Sequence, residues 1–456
     1  MANRFDAIII GTGQSGPSLA GRLAGAGMKV AIVERKLFGG TCVNNGCIPT
    51  KSLVASAKAI HTARRAADFG FSTGPVTVDM KRVKARKDGI VAQSSGGVES
   101  WLRGMKNGTV YRGHARFESS RTVRVGDDVL EADKIFINVG ARATVPSIPG
   151  LDRTPYLTNS GMMGVDFLPV HLLILGGSYI GLEFGQMYRR FGSQVTIIER
   201  SDRVIAREDA DISDAIRRIL EEEGIQVLTG VEIAEVTGQE GEITVKLKNK
   251  PGAITGSHLL VAVGRVPNTD DLGLEKAGAT LDKKGYIAVD DQLRTSVPGI
   301  WAMGDCNGKG AFTHTSYNDF EIVAANLLDN DPRRVSDRIL AYNLYIDPPL
   351  GRAGMNETEA RKSGRKALIG TRPMTKVSRA VEKGESKGFM KVLVDAESKL
   401  ILGASLLGVE CDEVIHSILD LMYAKAPYTV MQRAVHIHPT VSELVPTMLG
   451  ELKPLE

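Results

Sequence analysis

The sequence predicts an α/β chain built on two β-α-β units and closed by a C-terminal domain of mixed strands and helices. Three observations predict it. The stretch Ala7–Arg35, AIIIGTGQSGPSLAGRLAGAGMKVAIVER, returns in kind at Leu172–Arg200 as LLILGGSYIGLEFGQMYRRFGSQVTIIER. Glycine is abundant at 50 residues and aromatics are scarce at 5%, a balance that suits many tight strand-to-helix turns. After about residue 336 the pattern changes, and no glycine turn of this kind recurs.

Each repeat has an apolar run, a glycine turn, an amphipathic helix, a second glycine, a second apolar run and a Glu-Arg ending. From first motif glycine to final acid the distance is 23 residues in both, Gly11 to Glu34 and Gly176 to Glu199. This is the β-α-β fingerprint of a Rossmann-like dinucleotide-binding domain, and each part has a physical task. Gly11 makes the turn after the strand. Gly13 lets the backbone approach a pyrophosphate, and Gly16 lets the helix pack on the sheet. The helix N-terminus contributes partial positive charge. Glu34 is placed to accept hydrogen bonds from ribose hydroxyls. One glycine triplet is weak evidence, but two complete units with matched acids are strong.

The second unit, Gly176-Gly177-Ser178-Tyr179-Ile180-Gly181, has Ser178 where the first has Gly13. Serine adds a side chain where backbone and pyrophosphate meet, which loosens or displaces the bound nucleotide. Glu199 favours NAD, because a carboxylate repels a 2′-phosphate. Arg200 and Arg203 follow closely and could receive that phosphate instead, which keeps NADP open.

Residues 109–150 read as short strands, and a β-rich stretch from about 225 to 263 closes the second unit. Gly299-Ile300-Trp301-Ala302-Met303-Gly304-Asp305 reads as a strand meeting a turn, before a helix from about 315 to 329. In the tail, strands are expected around 388–395 and 400–407, and helices around 411–424 and 440–449.

At 456 residues the chain exceeds one ordinary core, and about three domains are expected. A net charge of +4 is too mild a bias for a nucleic-acid partner, since 57 basic residues face 53 acidic ones. The densest basic run, Lys81 to Lys87, reads as the solvated face of a helix. No segment approaches the roughly 18 apolar residues of a membrane helix. A first strand starting by about Phe5 leaves no room for a signal peptide. These features together lead to the expectation of a cytoplasmic, water-soluble protein.

Four cysteines in so long a chain are not a disulfide scaffold. Two of them, Cys42 and Cys47, fall within GGTCVNNGCIPTK at residues 39–51. In a regular helix, residues five apart have Cα atoms roughly 8–9 Å from each other. A disulfide requires less than about 7 Å. A bridge therefore needs a distorted turn, which Asn44, Asn45 and Gly46 permit, and Pro49 discourages an ideal helix. Zinc would need further ligands that are absent nearby. Unrelated buried cysteines and a redox-active dithiol beside a flavin are the other two readings.

GGTCVNNGCIPTK resembles the active-site segment of the class I flavoprotein disulfide reductases, which include dihydrolipoamide dehydrogenase, glutathione reductase and mercuric reductase. The likeness spans nearly the whole chain. It takes in both dinucleotide units, Gly304-Asp305 as a second flavin motif, Gly264-Arg265-Val266-Pro267-Asn268, and His438-Pro439-Thr440. The resemblance implies FAD on the first unit, NAD(P)H on the second, and a C-terminal α+β dimerisation domain. The implied segments are 1–145 and 271–335 for FAD, 146–270 for NAD(P) and 336–456 for dimerisation.

Carried over residue by residue, the resemblance makes Cys47 the charge-transfer thiol next to flavin and Cys42 the interchange thiol facing substrate. Lys51 resembles a lysine held near flavin N5, with Glu183 as its ion-pair partner. Tyr179 resembles an aromatic gate over the nicotinamide side, and Asp305 would bind the ribityl chain. Gly40, Thr41, Gly140 and Gly304 complete the implied FAD contacts. Gly176, Ser178, Gly181, Glu199, Arg200 and Gly264 complete those to the nicotinamide nucleotide. Glu183 and Tyr179 could instead simply cover a helix surface, and Asp305 could cap a helix.

Thr440 with Glu443 three residues later is also a capping-box pattern. In the resembled family, the histidine before Pro-Thr moves protons for the thiols, oriented by a glutamate five residues on, and His438 with Glu443 matches that spacing. Imidazole suits the task because its pKa lies near working pH. His436 reads as a strand-end or surface residue. In that family the histidine reaches the other subunit's dithiol, which implies a homodimer with shared active sites.

The acceptor is a small molecule or a metal ion. The chain lacks the C-terminal cysteine pair of true mercuric reductases. Yet GGTCVNNGCIPTK, the Ile300–Asp305 strand and Asp347–Met355 look closest to a mercuric-reductase-like branch that includes flavoproteins of reactive-chlorine defence. Dihydrolipoamide dehydrogenase is the alternative. A flavoprotein oxidase without dithiol chemistry and a non-catalytic subunit of a larger complex are readings from other classes.

Overall fold

A computed structural model describes residues 2–249 and 251–456. They form two compact units, each assembled from three chain segments. One comprises Met1–Ser52, Lys84–Thr144 and Gly264–Arg338, and the other Leu53–Val83, Val145–Val263 and Ile339–Glu456. The tail that the change of pattern sets apart thus shares a unit with the second β-α-β repeat.

In the first unit, strand Ala7–Ile10 lies between Val30–Glu34 and Lys134–Ile137 in a parallel five-stranded sheet. Ile300–Ala302 and Gly108–Arg112 are its edges. Every residue of Ala7–Ile10 and Val30–Glu34 is buried, as parallel strands covered on both faces require. On one face, Leu19 and Leu23 of helix Ser15–Gly25 pack with Phe320 and Val323 of helix Thr313–Leu328. On the other, Ile8 and Ile10 meet Phe117, Val123 and Leu130 of a small four-stranded sheet. The double coverage fixes the ends of the strands, and the glycine turn comes directly after Ile10.

The second unit repeats the arrangement. Gln226–Leu228, Gln194–Ile198, His171–Leu175 and His258–Val261 form a parallel sheet in that order. Helix Tyr179–Phe191 buries Leu182, Phe184, Met187 and Phe191 against it. A three-stranded antiparallel sheet, Ile233–Gln239, Glu242–Leu247 and Ala253–Gly256, accounts for the β-rich stretch. The tail forms a six-stranded antiparallel sheet, in which Phe389–Asp395 and Ile401–Leu407 match the expected strands. Helix Cys411–Tyr423 packs Val414, Ile415 and Ile418 into its core.

Buried charge ties the tail to the second repeat. Lys391 is fully buried, and its Nζ lies 2.8 Å from Asp209, 2.8 Å from Asp211 and 2.6 Å from Glu357. The three carboxylates are close enough together to hold a metal ion, but the ammonium already sits among them. Beside them Arg352, also fully buried, faces Glu208 at 3.3 Å.

Two expectations need correcting. The basic run 81–87 lies on helix Met80–Arg103 and is mostly solvated, but Lys87 is buried and pairs with Asp88. Helical period puts Lys87 on the face of Val83 and Ile90, which points inward. The expected helix over 440–449 is a 3₁₀ turn, Ser442–Leu444, followed by a short α-helix, Val445–Leu449. No helix among the described residues is long and apolar enough to cross a membrane.

Candidate active site

The two glycine turns are alike down to their hydrogen bonds. Gly11 and Gly176 have φ of +102° and +109°, in the left-handed region open to glycine. A methyl group on Gly11 would fall 2.3 Å from the Asn138 carbonyl oxygen, and one on Gly176 would fall 2.4 Å from that of Ala262. The acids close the loop. Glu34 accepts from the Thr12 amide at 3.0 Å and the Lys36 amide at 2.8 Å. Glu199 accepts from the matching amides, Gly177 and Ser201, both at 2.6 Å. In each half, the carboxylate at the end of the second strand is therefore locked against the turn after the first.

Asn138, which sequence reasoning missed, explains the one departure. Its Oδ1 accepts the Gly16 amide at 3.1 Å and would stand 2.9 Å from a methyl on Gly13. Its Nδ2 donates to the Met303 carbonyl at 3.0 Å, beside the Gly304-Asp305 motif. Ala262 takes the corresponding place in the second unit and has no such side chain. The space that forbids a side chain at Gly13 is therefore open at Ser178, which has extended backbone (φ −107°) at the start of its helix. Gly16 and Gly181 remain glycine for a shared reason: a methyl there would meet the carbonyl of Gly11 at 2.3 Å or of Gly176 at 1.9 Å.

These residues fit a dinucleotide on each unit. Asp305 lies in the 3₁₀ turn Gly304–Asn307, and burial pushes its carboxyl up while Arg265, 3.3 Å away, opposes the shift. Gly140 and Gly304 have positive φ of 67° and 72°, and the Gly264 carbonyl accepts the Thr144 amide at 2.9 Å. In the second unit a cavity of about 170 Å³ is lined by Gly177, Ser178, Tyr179, Glu199 and Arg207. Arg200 is exposed just beyond the strand end, whereas Arg203 buries an Nε that has no hydrogen-bond partner. Glu183 is buried on the inner face of its helix and accepts the Tyr345 amide at 2.9 Å.

The first turn also sets an expected outcome. Gly11→Ala should abolish retention of a flavin, because its Cβ meets backbone on one side and φ is wrong for alanine. Absorbance of the purified variant near the flavin bands checks this.

The thiol pair sits where the chain breaks between two helices. Helix Gly40–Asn44 carries Cys42 and Thr41, and helix Cys47–Arg64 begins at the second cysteine. Asn45 and Gly46 form the break, as the spacing required. A methyl on Gly46 would lie 2.8 Å from the Thr41 carbonyl, so glycine permits the close return. Pro49 does not interrupt the second helix; it lies in its first turn, where a missing N–H costs nothing. Gly40 packs against the Cα of Gly13, bringing this segment up to the first glycine turn.

Cys42 and Cys47 are free thiols, and they hydrogen-bond each other. That bond, then burial, pushes the Cys42 thiol up, while Thr313 and Lys51 oppose the shift. The Thr313 hydroxyl, 3.1 Å from Cys47 Sγ, is a site residue that the sequence did not single out. The remaining cysteines, Cys306 and Cys411, are buried, and burial pushes the Cys306 thiol up to about 12.

In the second unit, His438 Nδ1 lies 3.0 and 3.1 Å from the two carboxylate oxygens of Glu443. The capping box is half made: Thr440 Oγ1 accepts the Glu443 amide at 3.2 Å, while the Glu443 side chain goes to His438. With Nδ1 so held, Nε2 is the nitrogen left for proton transfer. The ring is 73% exposed, and its neighbours Val435 and Ile437 are 100% and 80% exposed. His436 is exposed too and is held by the Ala434 carbonyl.

Residues 5–319 match the family model described as pyridine nucleotide-disulphide oxidoreductase, and residues 340–449 match its dimerisation domain. The chain is 37% identical to a probable pyridine nucleotide-disulfide oxidoreductase, RclA, of Escherichia coli, over 99% of this chain and 100% of that protein. A solved Cu(II) complex of the HOCl-induced flavoprotein disulfide reductase RclA from Escherichia coli superposes with a TM-score of 0.90, at 36% identity, covering 97% of this chain and 99% of the other. Dihydrolipoyl dehydrogenase of Thermus scotoductus is 33% identical over 96% of this chain and 95% of its own. Mercuric reductase of Bacillus cereus is 30% identical over 95% of this chain and 70% of its own.

Proposed function

Because the chain belongs to the pyridine nucleotide-disulphide oxidoreductases, FAD- and NAD(P)H-dependent flavoprotein enzymes, we propose that Cys42 and Cys47 relay electron pairs to a metal ion or an oxidised small molecule. The observation that carries this is the thiol pair at the helix break, its two sulfurs in hydrogen-bond contact, with Lys51 opposing the rise of the Cys42 thiol. Bound FAD supplies the passage of electron pairs between the nicotinamide nucleotide and the thiols. Gly11, Gly13, Gly16, Glu34 and Asp305 would hold it, with Gly40, Thr41, Gly140 and Gly304 shaping the same site.

The protein's own residues divide the remaining work. Cys47 would be the thiol next to the flavin and Cys42 the interchange thiol, the roles that the family resemblance implies. With a disulfide acceptor, Cys42 gives its proton to His438, its sulfur bonds to one acceptor sulfur, and the other leaves as a thiolate that takes that proton from His438. Cys47 then attacks Cys42, releasing the second thiolate and closing the protein disulfide. Two electrons leave the pair in each cycle. Lys51 stabilises negative charge near the thiols.

His438 serves the dithiol of a second copy. The exposed apolar residues on either side of it, Val435 and Ile437, and the matched dimerisation domain support a homodimer with shared sites. We place the enzyme in the cytoplasm, where a cycling dithiol suits a reducing compartment. NAD(H) is the preferred nucleotide, because Glu199 is locked at the turn as a fixed negative charge. NADP(H) is the second reading, favoured by the unpartnered Arg203 Nε.

Purified holoprotein assayed for NADH and NADPH oxidation with lipoamide, glutathione disulfide, Hg(II) and Cu(II) tests the acceptor. Turnover with a metal ion above that with lipoamide is expected. Rapid NAD-linked lipoamide turnover would favour dihydrolipoamide dehydrogenase, whose claim rests on the intact His438–Glu443 pair.

A further inference from the structure

Among the described residues, the cavity at the second glycine turn is lined by a single basic side chain, Arg207. A tight turn carries it. The Glu208 amide donates to the Ile205 carbonyl at 2.8 Å, which leaves Ala206 and Arg207 as the two exposed residues between them. Ile205 has φ +36°, a costly conformation for a β-branched residue, and its own amide donates to the Gly177 carbonyl at 2.8 Å. The turn is thus tied directly to the glycine motif that opens helix Tyr179–Phe191.

The chain beyond Ile205 is fixed as firmly. Asn356 Nδ2 donates to the Arg207 carbonyl at 3.1 Å. Glu208 is buried and faces Arg352 at 3.3 Å. Asp209 accepts the Glu357 amide at 3.1 and 3.2 Å and lies 2.8 Å from Lys391. All of these contacts are made by the Arg207 backbone or by neighbouring residues. The Arg207 side chain has no hydrogen bond or ion pair among the described residues. A buried scaffold therefore holds up an exposed guanidinium that it does not itself use.

The surroundings of that guanidinium suit an anion. The Glu199 carboxylate is already engaged by the Gly177 and Ser201 amides. The first turn of helix Tyr179–Phe191 has no acidic residue, and its N-terminus adds partial positive charge. A nicotinamide dinucleotide brings the negative charge of its pyrophosphate, and NADP brings a 2′-phosphate as well. Arg203 is not part of the cavity lining, so Arg207 is the cation that a phosphate meets there. We propose that Arg207 binds a phosphate group of the nicotinamide nucleotide, presented to it by the 205–208 turn. The proposal rests on the reading of the second unit as the nicotinamide-nucleotide site.

The test is calorimetric binding of NAD⁺ and of NADP⁺ to oxidised holoprotein, wild type beside Arg207→Met, Arg207→Lys and Ser178→Asp, at low and high salt. Arg207→Met should weaken binding about tenfold at low salt and less at high salt, as an exposed charge-assisted contact does. Arg207→Lys should recover part of the loss. Tm should stay unchanged in both, because the contacts that hold the turn run through the backbone. An equal loss for the two nucleotides identifies the pyrophosphate as the partner, and a loss confined to NADP⁺ identifies the 2′-phosphate. An unaltered Kd in Arg207→Met, or a loss that neither salt nor lysine changes, overturns the proposal. Ser178→Asp separates that failure from a failure of the underlying reading, since a carboxylate in the cavity should weaken both nucleotides. If its Kd is unaltered too, the cavity is not the nucleotide site and both fall.

Discussion

Replacing Cys47 by serine is expected to lower acceptor turnover on the order of 10³-fold or more, because serine cannot close the disulfide that ends each cycle. The loss should come without unfolding. Cys47 opens a helix and is exposed, and its sulfur contacts the Thr313 hydroxyl, which a serine hydroxyl can also reach. Cys42→Ser should be as inactive toward acceptor but spectrally different. It leaves Cys47 in place with Lys51 nearby, so a long-wavelength thiolate absorbance should persist in the oxidised variant and be missing in Cys47→Ser. Steady-state assay and a visible spectrum of each variant check both halves. Equal spectra would reverse the assigned roles of the two thiols.

The second large effect is expected at His438. His438→Gln should reduce acceptor turnover by about 10²–10⁴-fold, the usual contribution of a placed general acid-base. Reduction of the protein by NADH in the absence of acceptor should be spared, because the imidazole acts on the thiols and the leaving group. Glu443→Gln should cost less, since an amide can still orient Nδ1 although it no longer supports an imidazolium. Stopped-flow separation of the reductive and oxidative halves checks this. A slowed reductive half would mean that His438 acts elsewhere.

The features legible in the sequence are those confined to short segments. Each turn glycine with its terminal acid, the thiol pair and the His438–Glu443 pair is confined to a few tens of residues or fewer. The distorted turn is legible too, because a helix holds residues five apart too far for a bridge, and the break falls at Asn45-Gly46. Asn138 is not legible. It comes after a strand whose apolar residues dominate the pattern, and its partners Gly16 and Met303 are far away in the chain. Thr313, 266 residues from Cys47, is hidden for the same reason. So is the buried Glu208–Arg352 pair, whose members carry no motif and meet only through the fold. Lys87 shows the opposite error, where a run of charges conceals the inward face of its helix.

The central claim is that electrons pass through the Cys42–Cys47 pair. Anaerobic titration of the oxidised holoprotein with NADH tests it most directly. The account predicts uptake of two hydride equivalents per chain, one for the flavin and one for the disulfide, with a long-wavelength absorbance after the first. Uptake of a single equivalent with no such absorbance would contradict it and leave a flavoprotein oxidase in its place.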